Sequence, residues 1–213
     1  MNKLPPSQKI LLAAAVLVPI VYFCTQAAAA PYFPNYSIFT TSASALGSNL
    51  SSKPSILNNG ALLTGALSFL GSIGLAQALP RIGVSKIPSY LLALCLLSAG
   101  AASFWAGLHP LPSPRHNPGA IGAGLFVAPF AAMWAAWQIT TQRYMRIAFL
   151  VNAMAFVVLG VIMSGAIGVD LAAIGGLIQK LIAATSLASI AVIAGIAIFH
   201  FSQRSPGRRS APG

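Results

Sequence analysis

Residues 174–201 read IGGLIQKLIAATSLASIAVIAGIAIFHF, and Lys180 is the only lysine, arginine or acidic residue among them. A helix needs about 20 predominantly apolar residues to cross the hydrocarbon core of a bilayer, which is roughly 30 Å thick. Such a helix satisfies its own backbone hydrogen bonds, so no peptide group is left unpaired in lipid. The stretch therefore predicts a transmembrane helix.

Five further stretches have the same length and character. The six predicted helices cover residues 10–30, 60–79, 89–108, 119–140, 147–168 and 174–201. The chain is 57% hydrophobic and only 6% charged, whereas roughly a quarter of the residues of a soluble domain are charged. We predict an all-α, polytopic transmembrane bundle of six helices. It forms a single domain over residues 1–202, followed by a basic, disordered cytoplasmic tail at residues 203–213.

The first predicted helix has a second interpretation. Lys3 and Lys9 precede an apolar run that ends in the alanines 27–30, which is also the pattern of a secretory signal with its cleavage site. The apolar run is long for the hydrophobic region of a signal. We therefore interpret it as a retained first crossing.

The basic residues fall almost entirely on alternate connections. One side of the predicted bundle carries nine of the 12 lysines and arginines, namely Lys3, Lys9, Arg81, Lys86, Arg143, Arg146, Arg204, Arg208 and Arg209. Because basic residues near helix ends are retained in the cytoplasm, we predict a multi-pass protein of the inner (plasma) membrane with both termini cytoplasmic. This topology, with contact to anionic lipids, explains the net charge of +11. No recognition motif indicates nucleic acid as a partner.

Small residues at fourfold spacing predict where helices approach each other closely. Three such lines occur: Ser68, Ser72 and Ala76; Ala99, Ser103 and Gly107; and Gly160, Ser164 and Gly168. We interpret them as contacts within the bundle. Asn152, a polar residue inside the fifth predicted helix, is expected to bond to a neighbouring helix.

The candidate site lies on the opposite, outer side. The first outer loop is expected to fold back over the mouth of the bundle, and the prolines of residues 109–118 hold His109, Arg115 and His116 at the surface. Lys180 is predicted near the outer headgroup level, where a cation is costly unless it snorkels, pairs or meets a ligand. Asp170, the only acidic residue, is one potential partner.

The alternative is that Lys180, Arg115, His116 and Asn59 converge on an anionic lipid headgroup or on the phosphate of a lipid-linked substrate. A metal site is not expected, because only Asp170 could join His109 and His116, and a protein metal site normally has three or four ligands. Ser44, Ser48 and Ser113 are available as nucleophiles, but no nucleophile-elbow or metalloprotease motif accompanies them. The absence of ionisable side chains near the midplane argues against a proton-coupled carrier.

Four short motifs resemble those of a known family. They are residues 44–48 (SALGS), Asn59-Gly60 leading to Gly65, Leu108-His109-Pro110 through His116, and residues 176–180 (GLIQK). In order and placement they resemble the bacterial and archaeal membrane proteins described as domain of unknown function 998. The chain departs from that pattern at Ala45, where aspartate is common, and at Lys180, where arginine is common. The resemblance implies a six-helix bundle and no established reaction.

Together these observations predict a membrane protein that binds a lipid headgroup or a membrane-protein partner at its outer face. They favour a protein that is not an enzyme. The predicted binding residues are Asn59, His109, Arg115, His116, Asp170 and Lys180. No cofactor and no metal are predicted. Two alternatives remain open: an accessory structural subunit of a larger membrane complex, and a membrane-embedded lipid hydrolase that uses outer-loop serine and histidine.

Overall fold

The computed structural model describes residues 5–117 and 119–203, and within these ranges the chain is helical without any strand. The six α-helices are α1 (Pro6–Ala29), α2 (Ser55–Ala78), α3 (Lys86–Leu108), α4 (Gly124–Ile139), α5 (Arg143–Met163) and α6 (Leu171–Gln203). Short 3₁₀ helices cover Ala30–Tyr32, Ser44–Gly47, Pro80–Ile82 and Gly119–Ala123. Six helical spans are long and apolar enough to cross a membrane, which confirms the predicted all-α bundle. Residues 204–213 of the predicted tail lie outside the described residues.

Several helix boundaries differ from the prediction, and at two of them the α-helix is five residues shorter than predicted. Residues 119–123, predicted as the start of a helix, wind as a 3₁₀ helix before α4 begins at Gly124. The fifth helix ends at Met163 rather than at residue 168. Gly165 and Gly168 adopt φ angles of 75° and 68°, which lie in the left-handed region that glycine enters readily. These glycines turn the chain from α5 towards α6.

Five helices form a closed ring. The helix α1 packs against α2, α2 against α3, α3 against α4, α4 against α6, and α6 against α1. The helix α5 lies outside the ring, against α4 and α6, and only three of its residues are buried, namely Phe149, Ala153 and Phe156. The ring interior holds most of the apolar core, including Leu12, Leu75, Leu92, Leu96 and Ile190, all fully buried.

Small residues allow the ring helices to approach closely, as predicted for α2 and α3. Ser68 and Ala99 are buried, and a Cβ placed on Gly65 would lie 2.6 Å from the Cβ of Phe104 and 2.8 Å from the carbonyl oxygen of Gly100. The prediction for the third line is wrong. Gly160 has open space where a Cβ would be, and Ser164 is exposed beyond the end of α5.

Polar side chains connect neighbouring helices across several of these contacts. Asn152 Nδ2 donates to the carbonyl of Thr185 at 3.1 Å, which confirms the predicted bond between α5 and α6. The Ser103 hydroxyl donates to the carbonyl of Ala61 at 3.0 Å, joining α3 to α2. Bonds of this kind contribute about 0.6 kcal/mol on average in membrane proteins, so they orient the helices more than they stabilise them.

The two ends of the bundle differ in character. At the basic end, formed by residues 5–9, 79–86 and 138–146, Arg81 donates to Gln8 Oε1, and Gln8 Nε2 donates to Gln77 Oε1 at 3.2 Å. Arg146 donates there to the carbonyls of Thr140 and Trp137, at 2.8 and 3.0 Å, and so satisfies two of the carbonyls that the end of α4 leaves without a helical partner. The opposite end, formed by the connections 30–54, 109–123 and 164–170, is called the loop end.

Candidate functional site

A cavity of about 200 Å³ lies inside the helix ring in its half nearer the loop end. This loop-end cavity has walls from α1, α2, α3, α4 and α6, and it is covered by residues 43–44 of the first loop and by His116. Small apolar residues such as Ala61, Ala106 and Ala183 make up much of the lining. The polar side chains among its lining residues are Tyr22, Thr25, Ser44, Asn58, Thr64, Ser68, Ser103, His116 and Gln179.

Four hydroxyls in the cavity wall are committed as donors, namely those of Thr25, Thr64, Ser68 and Ser103. Thr64 donates to the carbonyl of Gly60 at 2.7 Å, and Ser68 donates to that of Thr64 at 2.8 Å, each one helical turn earlier. Since a hydroxyl carries one hydrogen and two lone pairs, what remains on each oxygen is acceptor capacity. Polar side chains on a helix inside a bundle are therefore satisfied without a ligand and can still accept from one.

His116 is fixed in one tautomer by the backbone. Its Nδ1 lies 2.7 Å from the carbonyl oxygen of His109, and a carbonyl can only accept, so Nδ1 carries the hydrogen. With the hydrogen on Nδ1, the neutral form of the imidazole has its lone pair on Nε2. The ring of His109 in turn packs on Trp105 with ring centroids 4.5 Å apart. Trp105 and His109 thus hold in place the histidine that lines the cavity.

Gln179 offers the complementary group. Its Oε1 accepts the backbone N–H of Ala43 at 3.0 Å, which leaves the Nε2 hydrogens as donors. Asn58 acts in the reverse sense, since its Nδ2 donates to the carbonyl of Gly47 at 3.0 Å. The two amides fasten the first loop over the cavity from opposite helices, α6 and α2.

The first loop is packed into the bundle, as predicted, and Lys180 is its main attachment. Lys180 is only 8% exposed, and its Nζ donates to the carbonyls of Thr41, Gly176 and Ile38 at 2.5, 3.0 and 3.4 Å. An ammonium has three hydrogens, so this set of acceptors satisfies it. Thr41 and Leu46 of the loop are buried.

The prediction that Asp170 could pair with Lys180 is wrong. Asp170 is exposed, and its Oδ1 accepts the backbone N–H of Ala172 at 2.9 Å. A carboxylate at this position caps α6 and interacts favourably with the positive end of the helix dipole. Lys180 does not snorkel either, because it is buried beneath the first loop.

The six predicted site residues occupy different settings. His109 and His116 are brought together, and His116 lines the cavity. Asn59 and Arg115 are exposed, and it is Asn58 that lines the cavity. Successive residues of a helix point about 100° apart, so a one-residue error in register exchanges the inner face for the outer one. Within the described ranges no three histidine, cysteine or acidic residues are grouped closely enough to hold a metal ion.

Sequence reasoning missed most of the cavity lining. Thr64 and Ser68, four residues apart on α2, gave a usable signal, because neutral polar side chains at helical spacing mark an interior face. Gln179 lies inside the motif at residues 176–180, but the sequence analysis assigned the binding role to the neighbouring Lys180. Tyr22 and Thr25 carried no distinguishing pattern.

Comparisons with protein-family models, with the curated proteins and with solved structures found no match. The resemblance to the domain of unknown function 998 family therefore stays a prediction.

Proposed function

We propose that this protein spans the inner (plasma) membrane with both termini in the cytoplasm and the loop end outside. Lys9, Arg81, Lys86, Arg143 and Arg146 lie at the basic end, where α1 begins, α2 meets α3 and α4 meets α5. Basic residues in short connections are the strongest determinant of orientation and remain on the cytoplasmic side. The loop-end cavity then opens towards the outer leaflet or the space beyond it.

The protein binds a small, uncharged, hydrogen-bonding group in this cavity, either the headgroup of a lipid or a free solute. His116 and Tyr22 carry the only ionisable side chains among the lining residues, and no carboxylate, lysine or arginine is among them. An ionised ligand would lose its hydration there without gaining a counterion, which is strongly unfavourable. At about 200 Å³ the cavity is smaller than the roughly 300–1,000 Å³ of ordinary ligand pockets, so the bound group is compact.

One observation carries this proposal. An acceptor, His116 Nε2, and a donor, Gln179 Nε2, belong to the lining of the same cavity, and neither bonds to another described residue. A hydroxyl or a primary amide both donates and accepts, so it is the kind of group that suits both members of this pair. The group recognised is therefore an alcohol or amide function rather than a phosphate.

The test is a titration of the purified protein with monoolein and with glycerol. Both compounds have at least two hydroxyls, but only monoolein has an acyl chain. Native mass spectrometry measures the bound fraction. Ala106→Leu fills the cavity and His116→Phe removes the acceptor, and we expect each to lower affinity at least tenfold. His200→Phe, which replaces a histidine near the opposite end of α6, is the matched control and should bind as the unaltered protein does.

The two titrations also distinguish the sources of the ligand. Binding of monoolein alone identifies a lipid headgroup, whereas binding of glycerol as well identifies a free solute. The proposal is wrong if neither compound binds, or if Ala106→Leu and His116→Phe both bind as the unaltered protein does.

A lipid hydrolase is the second candidate, because Ser44 and His116 line the same cavity. In that reaction His116 Nε2 would take the proton of the Ser44 hydroxyl as its oxygen attacks the ester carbonyl, and would return that proton to the alcohol that leaves as the ester C–O bond breaks. Water would then hydrolyse the acyl-serine, which releases the acid and restores the Ser44 hydroxyl. The carbonyl of His109 would orient the imidazole, a role that a carboxylate usually has. No hydrogen bond joins Ser44 to His116 among the described residues, so binding is the better-supported function. Release of oleic acid from monoolein that Ser44→Ala abolishes would favour the hydrolase.

A further inference from the structure

A second concavity lies on the outer surface of the helix ring, between α2 and α3. This α2–α3 groove has a volume of about 530 Å³, and all its lining residues are apolar. Gly65 and Gly100 form its floor, Phe69, Leu97 and Phe104 its walls, and Trp105 its loop-end rim. The groove exists because the two glycines let the helix backbones meet, while the large side chains around them stand out from the surface.

The loop-end rim of the groove carries a cation. The Trp105 indole N–H donates to the carbonyl of Arg115 at 2.8 Å, so Arg115 is fixed beside the groove. The Arg115 side chain is exposed. The sequence contains one acidic residue, Asp170, and its carboxylate caps α6. Arg115 therefore stands at the membrane boundary without an acidic side chain of this chain to balance its charge.

We propose that the α2–α3 groove binds an acidic phospholipid, with one acyl chain against Gly65 and Gly100 and the phosphate on Arg115. A groove within the membrane span that has no polar wall is suited to a hydrocarbon chain. Trp105 marks the headgroup level, as tryptophan does at membrane boundaries. A guanidinium binds phosphate oxygens through paired hydrogen bonds, which gives the rim its charge complementarity to an anionic headgroup.

This lipid site is separate from the loop-end cavity. The cavity is lined by the inner faces of α2 and α3, including Thr64, Ser68 and Ser103, whereas the groove is lined by their outer faces. The Gly65–Gly100 contact lies between the two spaces. The occupants also differ, since the cavity is suited to an uncharged group and the groove rim to an anion.

The test uses Trp105 as the reporter. Trp134→Phe with Trp137→Phe leaves Trp105 as the only tryptophan of the chain. This protein is placed in phosphatidylcholine nanodiscs that contain a minor fraction of brominated phosphatidylglycerol or, separately, of brominated phosphatidylcholine. Because one basic residue near a membrane surface favours an acidic lipid, we expect the brominated phosphatidylglycerol to quench at about one fifth of the fraction that the neutral lipid needs.

Two substitutions address the two halves of the proposal. Ala101→Phe fills the groove from an exposed position of α3. It should therefore remove the quenching of Trp105 that occurs at low fractions of either brominated lipid. Its control is Ala155→Phe, at an exposed position on α5. In Arg115→Gln the two brominated lipids should quench Trp105 at the same fraction, and the quenching by phosphatidylcholine should be unchanged. Its control is Lys53→Gln, which removes another exposed cation from the loop end and should keep the preference.

Three outcomes would overturn the proposal. Equal quenching by both lipids in the parent protein would exclude a selective acidic-lipid site. Unchanged quenching in Ala101→Phe would show that no lipid occupies the groove. Protection of Trp105 from both lipids, relieved when the protein is diluted into detergent, would show that a second copy of the chain covers the groove instead.

Discussion

Lys180 shows how a single residue can be placed correctly and still be interpreted incorrectly. Its position in α6 followed from the sequence, and the cost of a cation at that depth required a partner. The partners are backbone carbonyls of Thr41 and Ile38 in the first loop and of Gly176 in α6 itself, and backbone carbonyls carry no mark in a sequence. The adjacent residues Asn58 and Asn59 of α2 are a second case in which the sequence did not show which side chain lines the cavity. Only the packing of α2 shows that Asn58 faces inward and Asn59 outward.

Replacing Lys180 by methionine tests its structural role. Methionine has nearly the same length but no hydrogen to donate, so buried carbonyls of the first loop lose their partner. We expect a loss of about 1–3 kcal/mol in the free energy of unfolding, the cost of a buried acceptor left unpaired. Unfolding in mixed micelles of mild detergent and dodecyl sulfate gives the measurement. Lys53→Met, at an exposed lysine of the same loop, should change stability little, and equal stability of the two variants would refute the attachment.

The helices themselves were largely predictable, because the thickness of the bilayer imposes one length on every crossing. Their existence and approximate positions came from hydropathy alone. The end of α5 did not, since the apolar run continues through residues 164–167 while Gly165 and Gly168 break the helix by their positive φ angles. The small-residue line that begins at Gly160 misled for a related reason. Spacing shows that a helix can be approached closely, whereas only the fold shows that α5 lies outside the ring.

Matched glycine-to-alanine substitutions on α2 and α5 separate these two situations. In Gly65→Ala the new methyl group meets Phe104 and the backbone of Gly100, so overpacking should cost about 1–3 kcal/mol. In Gly160→Ala the methyl group enters open space, and the better helix propensity of alanine should raise stability by up to about 1 kcal/mol. Opposite signs in the same detergent unfolding assay are the expected result. A loss of stability at Gly160 would mean that α5 is covered by another helix.

The molecule as a whole explains why the candidate site was only partly predictable. The loop-end cavity draws its lining from five helices, the first loop and His116. Its composition therefore depends on the closed order α1, α2, α3, α4 and α6, with α5 left outside. Hydropathy gives each helix but not the order of neighbours around the ring. The outer-side placement of His109 and His116 could be proposed from charge alone, because it requires only the alternation of crossings.

That alternation is tested by labelling cysteines at the two ends of the bundle. Cys24 and Cys95 are free thiols, so both are first replaced by alanine. Ser113→Cys then places one thiol at the loop end, and Ser85→Cys places a matched thiol at the basic end. In intact cells a membrane-impermeant maleimide should label Ser113→Cys, whereas Ser85→Cys should react only after the membrane is opened. Because an even number of crossings returns the chain to the side where it began, the reverse pattern would move both termini out of the cytoplasm. It would also turn the loop-end cavity and Arg115 towards the cell interior.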